Sequence, residues 1–406
     1  MSAAKMAIWT GVVAAIFAQS LREARAEEPI KIGVALELSG RFVAFGSYCK
    51  DGIDLAVKRW GGTVAGKEYE IVYRDLQSDA QTTVTAFTEL LNTQKINYVL
   101  GPTASPIASA AIGPWRQTKP VWIVPGASTT VMEKEIGEEP NFFHVYPYAY
   151  HYYEDLAHAL KHYTGPDKKI AILFVDDAYG RTHEALAREI FTESGFQIVA
   201  DEVMRANTPD LNPSLTKIRS VRPDILLGLV QSTDAITLAK QAYTRNLKVP
   251  YLVNPGTTQQ TDWQAAVGEA QEGWIGLTTY VPDLVNWPAN PLYPKVFMST
   301  DEWETMFESE FKHKANYNNI MCYTNAIQLL IAIDKVGGDD KDKVASELAN
   351  LDTMSPYGST KFSKTRGGTR NQAFSDLLIF QRQKNENILL YPLSVARNAK
   401  LIAAPK

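Results

Sequence analysis

Residues 30–60 read IKIGVALELSGRFVAFGSYCKDGIDLAVKRW, and residues 169–194 read KIAILFVDDAYGRTHEALAREIFTES. Both open on a short, nearly unbroken apolar run, Ile30 to Leu36 and Lys169 to Val175. Such a run suits a strand covered on both faces, as in a parallel sheet. Both continue into a segment with helical spacing. In the first, Ile53, Leu55, Ala56 and Val57 lie among the apolar positions of Gly46 to Trp60; in the second the helix is predicted over Ala178 to Ser194.

Outward from the first stretch the alternation repeats. Glu70 to Tyr73 is strand-like, Ala86 to Leu91 helical, Tyr98 to Leu100 a strand, Ser105 to Trp115 a helix and Val121 to Val124 a strand. Outward from the second come a strand at Gln197 to Val203, a helix at Leu211 to Val221 and a strand at Ile225 to Val230. A helix at Thr233 to Arg245 and a strand at Tyr251 to Val253 complete the series. The predicted fold class is α/β, with two Rossmann-like lobes built on parallel-type sheets. Between the units lies PNFFHVYPYAYHYYED (140–155), too aromatic for a flexible linker and suited to a packed or ligand-lined region. A Pro-rich stretch, PDLVNWPANPLYPK (282–295), precedes helices predicted around Trp303–Lys314, Tyr323–Val336 and Lys343–Leu351.

The N-terminus carries Lys5, an apolar run from Met6 to Ala18, and small residues Ala24 and Ala26. That order predicts a secretory signal peptide over 1–26, cleaved after Ala26, and a periplasmic mature chain. The run is too short for a spanning helix. The whole chain has 406 residues and a formal net charge of -4, and loss of the basic leader makes it more acidic. A mildly acidic chain without basic runs is a poor partner for nucleic acid or an anionic membrane. Cys49 and Cys322 can pair in an oxidising compartment or stand as two buried thiols, and sequence leaves both open.

Chemistry-bearing motifs are sparse. The first strand leads into Ser39-Gly40-Arg41 rather than a dinucleotide-binding glycine fingerprint, and no Walker loop or Gly-x-Ser-x-Gly elbow occurs. His158 and His162 share a predicted helix face but lack an obvious third ligand, so a solvated face is the better reading. No metal, cofactor or catalytic residue is expected. Asp177 reads as a helix N-cap. Two strand ends do carry hydroxyls at helix starts: Gly101-Pro102-Thr103-Ala104-Ser105-Pro106 and Pro125-Gly126-Ala127-Ser128-Thr129-Thr130. Free N–H groups, a positive dipole end and small residues suit a carboxylate. Plain capping by Ser105 with Pro106 behind it explains the first loop equally well.

The ordered set ELSGRFVAFGSYCKDGIDLAV, GPTASP, VPGASTT, VDDAYGR, PDILLGLVQSTDA and EGWIGLT resembles the leucine/isoleucine/valine-binding family of ABC-importer receptors, a type I periplasmic binding fold. It spans Ile30 to about residue 335. The resemblance implies two lobes joined by three crossing segments, with ligand clamped between them. The crossings are placed near 146–150, 278–284 and 355–360. The first lobe is then 27–147 plus 281–357, and the second 148–280 plus 358–406.

Carried over, Ser105 matches the serine that holds a ligand carboxylate, Gly126 a backbone contact and Ser128 a hydroxyl contact. Phe45 and Tyr179 match aromatic positions of the pocket wall, and Gln231 falls where an aromatic often sits. Tyr150, from the aromatic crossing, and Gly256 complete the expected set. One departure matters. Amino-acid binders of the family place a glutamate after the strand matching Tyr251–Val253, whereas Asn254 to Gln260 (NPGTTQQ) contains no acid. A free amino acid is disfavoured unless Asp234 or Asp283 substitutes, because a buried ammonium without a counter-charge costs several kcal/mol.

The expected protein is therefore a monomeric receptor for a small aromatic or apolar carboxylate, serving the membrane subunits of an ABC permease. Alternatives are a branched-chain amino acid or amide/urea-type receptor of the same family, a ligand-sensing ectodomain, and a secreted α/β enzyme.

Overall fold

A computed structural model describes residues 28–282, 286–396 and 398–405. The expected signal peptide lies outside the described residues. Two seven-stranded sheets organise the chain. The first runs, edge to edge, Asn371–Gln372, Phe142–His144, Val121–Val124, Tyr98–Leu100, Ile30–Leu36, Lys67–Asp75 and Thr63–Val64. The second runs Glu386–Tyr391, Leu378–Gln383, Trp274–Thr278, Tyr251–Val253, Ile225–Leu229, Lys169–Val175 and Gln197–Met204. Pairing is parallel within each, apart from the 63–64 edge of the first and the 378–391 hairpin of the second. Every residue of Val121–Val124, Ile225–Leu229 and Trp274–Thr278 is buried, as a sheet covered on both faces requires.

The two cysteines form a disulfide, Cys49–Cys322, with Cα atoms 5.2 Å apart. It pins the helix Val43–Trp60 to the helix Tyr317–Val336, whose side chains are buried from Tyr317 through Ile333. Gly52 makes the approach possible: a Cβ there would sit 2.1 Å from the Asn319 carbonyl oxygen. Asn316 caps the second helix in a box with Asn319, and Asn319 Nδ2 also donates to the Tyr48 carbonyl across the crossing. A disulfide of this kind fits an oxidising compartment.

The chain passes from Phe142–His144, the second strand of the first sheet, to the helix Ala149–Thr164, which starts five residues later, beside the crossing expected at 146–150. The structure departs from the sequence reading further along. The third crossing falls at 373–377 rather than 355–360. The hairpin Asp352–Ser355/Gly358–Lys361 precedes it, and Asn371–Gln372 then pairs in parallel with Phe143 and His144 of the first sheet. Only at Leu378 does the chain join the second sheet. Gln372 explains why the segment stays: its amide nitrogen donates to the Tyr146 and Phe374 carbonyls, and its oxygen meets His144 Nδ1 at 2.6 Å.

Candidate functional site: the closed cleft between the lobes

On the first lobe the strand-end loops are held by a buried acid. Glu37 follows the strand Ile30–Leu36 and is fully buried. Its carboxylate accepts from the Thr103 N–H, the Thr103 hydroxyl at 2.9 Å and the Ala104 N–H at 2.9 Å. Burial pushes its carboxyl up, and those donors pull it back. Ser105 is not the cap: the extended Ala104 holds that position, and Ser105 is the first residue of the helix Ser105–Thr118. The Ser105 hydroxyl is 1 % exposed and has no protein partner. Gly126 brings the neighbouring strand end alongside. A Cβ there would lie 2.3 Å from the Thr103 carbonyl oxygen, which accepts from the Ala127 N–H at 2.7 Å. Ser128 shares a hydrogen bond of 2.7 Å with His183 Nε2 of the second lobe.

On the second lobe Asp177 caps the helix Ala178–Glu193, accepting from the Tyr179 and Gly180 N–H groups. Tyr179 lies against the His183 ring, centroids 4.0 Å apart, and its buried hydroxyl has no protein partner. A Cβ on Gly256 would meet that hydroxyl at 2.9 Å and Gln231 Cγ at 3.2 Å. Three strand-end segments therefore converge on one point. Asn254 braces the last of them: its amide nitrogen donates to the Gly228 and Val230 carbonyls and its oxygen accepts from the Thr257 N–H. All of residues 254–260 are buried. Gln231 Oε1 and the Gln260 amide lack protein partners, and Gln259 lies against Tyr317. Buried polar groups without partners are uncommon in native proteins, and those of Ser105, Tyr179 and Gln231, at the converging strand ends, mark a place for a ligand.

Tyrosines back the cleft. Tyr146 packs on Tyr317 at 4.9 Å and on Tyr152 at 6.0 Å, and Tyr152 meets His183 edge-on at 5.0 Å. Burial raises the phenols of Tyr146, Tyr152, Tyr179 and Tyr317, so all are neutral hydrogen-bonding groups at neutral pH.

Ser105, Gly126 and Ser128 sit together on one lobe, and Tyr179, Gln231 and Gly256 on the other. Two expected residues make their contacts elsewhere. Phe45 is stacked on Phe42 within a first-lobe core cluster. Tyr150 donates to Glu133 and carries the Arg366 guanidinium over its ring at 4.0 Å, while Tyr152 and Tyr153 are the rings of that segment that reach His183. Asp234, a possible partner for a ligand ammonium, is already engaged: it accepts from the Asn207 N–H at 2.8 Å and pairs with Arg41 at 3.0 Å. Asp283 lies outside the described residues.

The sequence reading missed Arg41, His183, Gln259 and Gln260. Arg41 stands on the first lobe and pairs across the cleft with both Asp177 and Asp234. Its carbonyl accepts from the Ser232 hydroxyl at 2.6 Å. Thr129 bonds to Thr182 at 2.8 Å, and Tyr48 to Thr261 and Asp262 at 3.0 Å each. The cleft is thus closed in this structure.

A family profile described as periplasmic binding protein matches residues 29–386. A Leu/Ile/Val-binding protein homolog 7 from Brucella suis is 23% identical over 391 residues, covering 92% of this chain and 94% of that one. Among solved structures, a solute-binding protein of an ABC transporter from R. palustris in complex with benzoate has a TM-score of 0.77 at 20% identity, covering 93% of this chain and 98% of that one. A leucine-binding protein from Thermotoga maritima has a TM-score of 0.76 at 20% identity, with coverage of 89% and 97%. A branched-chain amino acid transporter substrate-binding protein from Streptococcus pneumoniae, in complex with isoleucine, has a TM-score of 0.76 at 18% identity, with coverage of 93% and 100%. At these identities the structural likenesses establish the fold.

Proposed function

Because this chain belongs to the periplasmic binding protein family and is a solute-binding protein rather than an enzyme, we propose that it captures a small aromatic or apolar carboxylate between its lobes. It then passes the ligand, as a monomer in the periplasm, to an ABC permease. Ser105 Oγ donates to the ligand carboxylate, with Gly126 and Ser128 shaping the same face. Tyr152, Tyr179 and Tyr317 supply the aromatic wall, and Gln231 and Gly256 close the far side.

The observation that carries this reading is the absence of a free carboxylate among the described cleft residues. Residues 254–260 bring amides and hydroxyls but no acid. Asp177 and Asp234 are both paired with Arg41. A ligand ammonium would be stripped of water with no counter-charge, whereas a carboxylate meets a buried, unengaged hydroxyl. The benzoate complex of a structural neighbour supports the acid class, and the isoleucine complex of another supports the alternative. A second reading, an amide or urea-type ligand, is favoured by the unengaged Gln231 Oε1 beside Tyr179 and Gly256.

Titration calorimetry on the mature chain separates these readings. Benzoate and phenylpropenoate-type acids are expected to bind and leucine, valine and urea to give no heat. Tight leucine binding with no response to any aromatic acid would overturn the proposal; urea binding alone would favour the amide reading.

A further inference from the structure

The Arg41 contacts have a geometry that an incidental surface pair lacks. Its Nη1 lies 3.0 Å from Asp177 Oδ2 and its Nη2 3.0 Å from Asp234 Oδ2, and the guanidinium carbon sits 4.6 Å from the centre of the Phe42 ring. The three side chains are 11%, 13% and 1% exposed. Both acceptors are set in place by their own lobe. Asp177 is fixed as a helix cap through Tyr179 and Gly180, and Asp234 by the Asn207 N–H. Asp176, next in sequence, turns to Arg181 instead. The second lobe thus presents two oriented carboxylates to one cation on the first: Asp177 accepts a hydrogen bond from Nη1, and Asp234 meets Nη2 as a charge contact outside hydrogen-bond geometry.

These residues also flank the ligand-facing groups: Asp177 stands two residues before Tyr179, and Asp234 three after Gln231. Burial raises the Asp234 carboxyl, and Arg41 is the leading influence that brings it back down. Opening the lobes would return one cation and two anions to solvent. Of the other interlobe contacts, Thr129–Thr182, Tyr48–Thr261/Asp262 and Ser128–His183 do not set a full charge against a full charge, and the Arg366–Glu154 pair is 57% and 41% exposed and so far more screened by water.

The geometry points to Arg41 as a positioning residue for ligand capture: an electrostatic latch that draws the Asp177 and Asp234 rims onto the first lobe and so sets how tightly the closed cleft holds its ligand. The inference rests on the reading of the cleft as a closing ligand site but not on which ligand enters it. Closure that pairs separated charges weakens as salt screens their attraction, and the screening length falls from about 30 Å at ~0.01 M to about 3 Å at ~1 M salt.

The test measures dissociation constants of the mature chain for benzoate and for leucine at those two salt concentrations, in wild type, Arg41→Gln and Arg41→Lys. Whichever ligand binds reports on the latch. Wild type is expected to bind on the order of tenfold more weakly at high salt. Arg41→Gln is expected to be weakened by a similar factor at low salt and to lose most of the salt dependence. Arg41→Lys should recover the salt dependence and part of the affinity. Leucine binding with this pattern would overturn the ligand proposal and keep the latch. Wild-type affinity and salt slope in Arg41→Gln would overturn the latch. If neither ligand binds, small-angle scattering of the ligand-free proteins at low salt decides: the latch requires wild type to be more compact than Arg41→Gln, and equal radii reject it. If Arg41→Gln fails to fold, a flat wild-type salt response rejects the latch, and a response retained in Arg41→Lys supports it.

Discussion

The two faces of the cleft are built by different means. The first-lobe face is a backbone construction. Glu37 holds the Thr103–Ala104 turn, Gly126 lies against the Thr103 carbonyl, and one side-chain hydroxyl, that of Ser105, is left over. The second-lobe face is a side-chain construction. Asn254 braces a buried loop, and the unengaged groups are the long Gln231 amide and the Tyr179 phenol. A face fixed by backbone loses little freedom when a ligand docks, whereas a face of amides must order rotatable side chains. The contrast assigns charge recognition to the rigid side and selection among ligand bodies to the adaptable one.

The largest effect expected from this contrast is at Glu37. Glu37→Ala strands two N–H donors and a hydroxyl in a buried turn, at a cost of about 2–4 kcal/mol of unfolding free energy. Glu37→Gln keeps an acceptor and should lose less. Denaturant unfolding of both, beside Asn254→Ala on the opposite face, checks the claim. If Asn254→Ala unfolds the protein more readily than Glu37→Ala, the assignment of the rigid face is reversed.

Next in size is the pair Ser105→Ala and Gln231→Leu, read by calorimetry with an aromatic acid. Ser105→Ala removes a hydrogen bond to a charged group and should weaken binding by about 1.5–3 kcal/mol. Gln231→Leu removes at most a neutral hydrogen bond, about 0.5–1.5 kcal/mol, and should shift the ranking of ring-substituted acids more than their mean affinity. Equal losses at both positions would erase the distinction between the faces.

The same difference governs what could be read in the sequence. Apolar strands followed by helices are a periodic signal, so both α/β units and their order were legible. Ser105 and Gly126 stand out in the sequence because hydroxyls and glycine at a strand end suit an anion, and the structure sets Gly126 against Thr103 and leaves the buried Ser105 hydroxyl without a protein partner. Asp177 was legible as a cap for the same local reason and takes that role. Gln259 and Gln260 carry no local signal; two glutamines in a loop resemble any solvated turn until the fold buries them. Arg41 appeared only as the residue that spoils a glycine fingerprint, since its meaning depends on two aspartates from the other lobe. Asn371–Gln372 is too short to show any period, which is why the third crossing was placed too early. Rings of an aromatic run cannot be told apart before the helix starting at Ala149 sets their directions, so the sequence does not distinguish Tyr150 from Tyr152.

A pH-dependent effect is expected where the two faces touch. His183 is wholly buried, bonded to Ser128 of the first lobe at Nε2 and to the Tyr153 hydroxyl at Nδ1, with the Tyr152 and Tyr179 rings against it. No carboxylate among these contacts favours its cation, and burial holds its pKa down to about 3 from an ordinary 6.5. The neutral ring is therefore the form that folding and closure select. For a histidine whose folded value is depressed, the stabilising contribution is complete above pH 6.5 and is lost as pH falls toward the folded value. At pH 6 roughly 0.8 kcal/mol of it has gone. His144, held at about 4 by burial, loses stability over the same range, while Asp155, pushed up to about 6 by burial, acts in the opposite sense. The His183 share therefore emerges as a difference between proteins rather than from one curve. His183→Gln keeps a donor and an acceptor without a titrating proton, so its melting temperature should approach that of wild type as pH drops from about 7 to about 5. A gap that stays constant across that range would mean the ring is wetted when the lobes meet, and the contact between the faces would then be looser than the 2.7 Å bond to Ser128 implies.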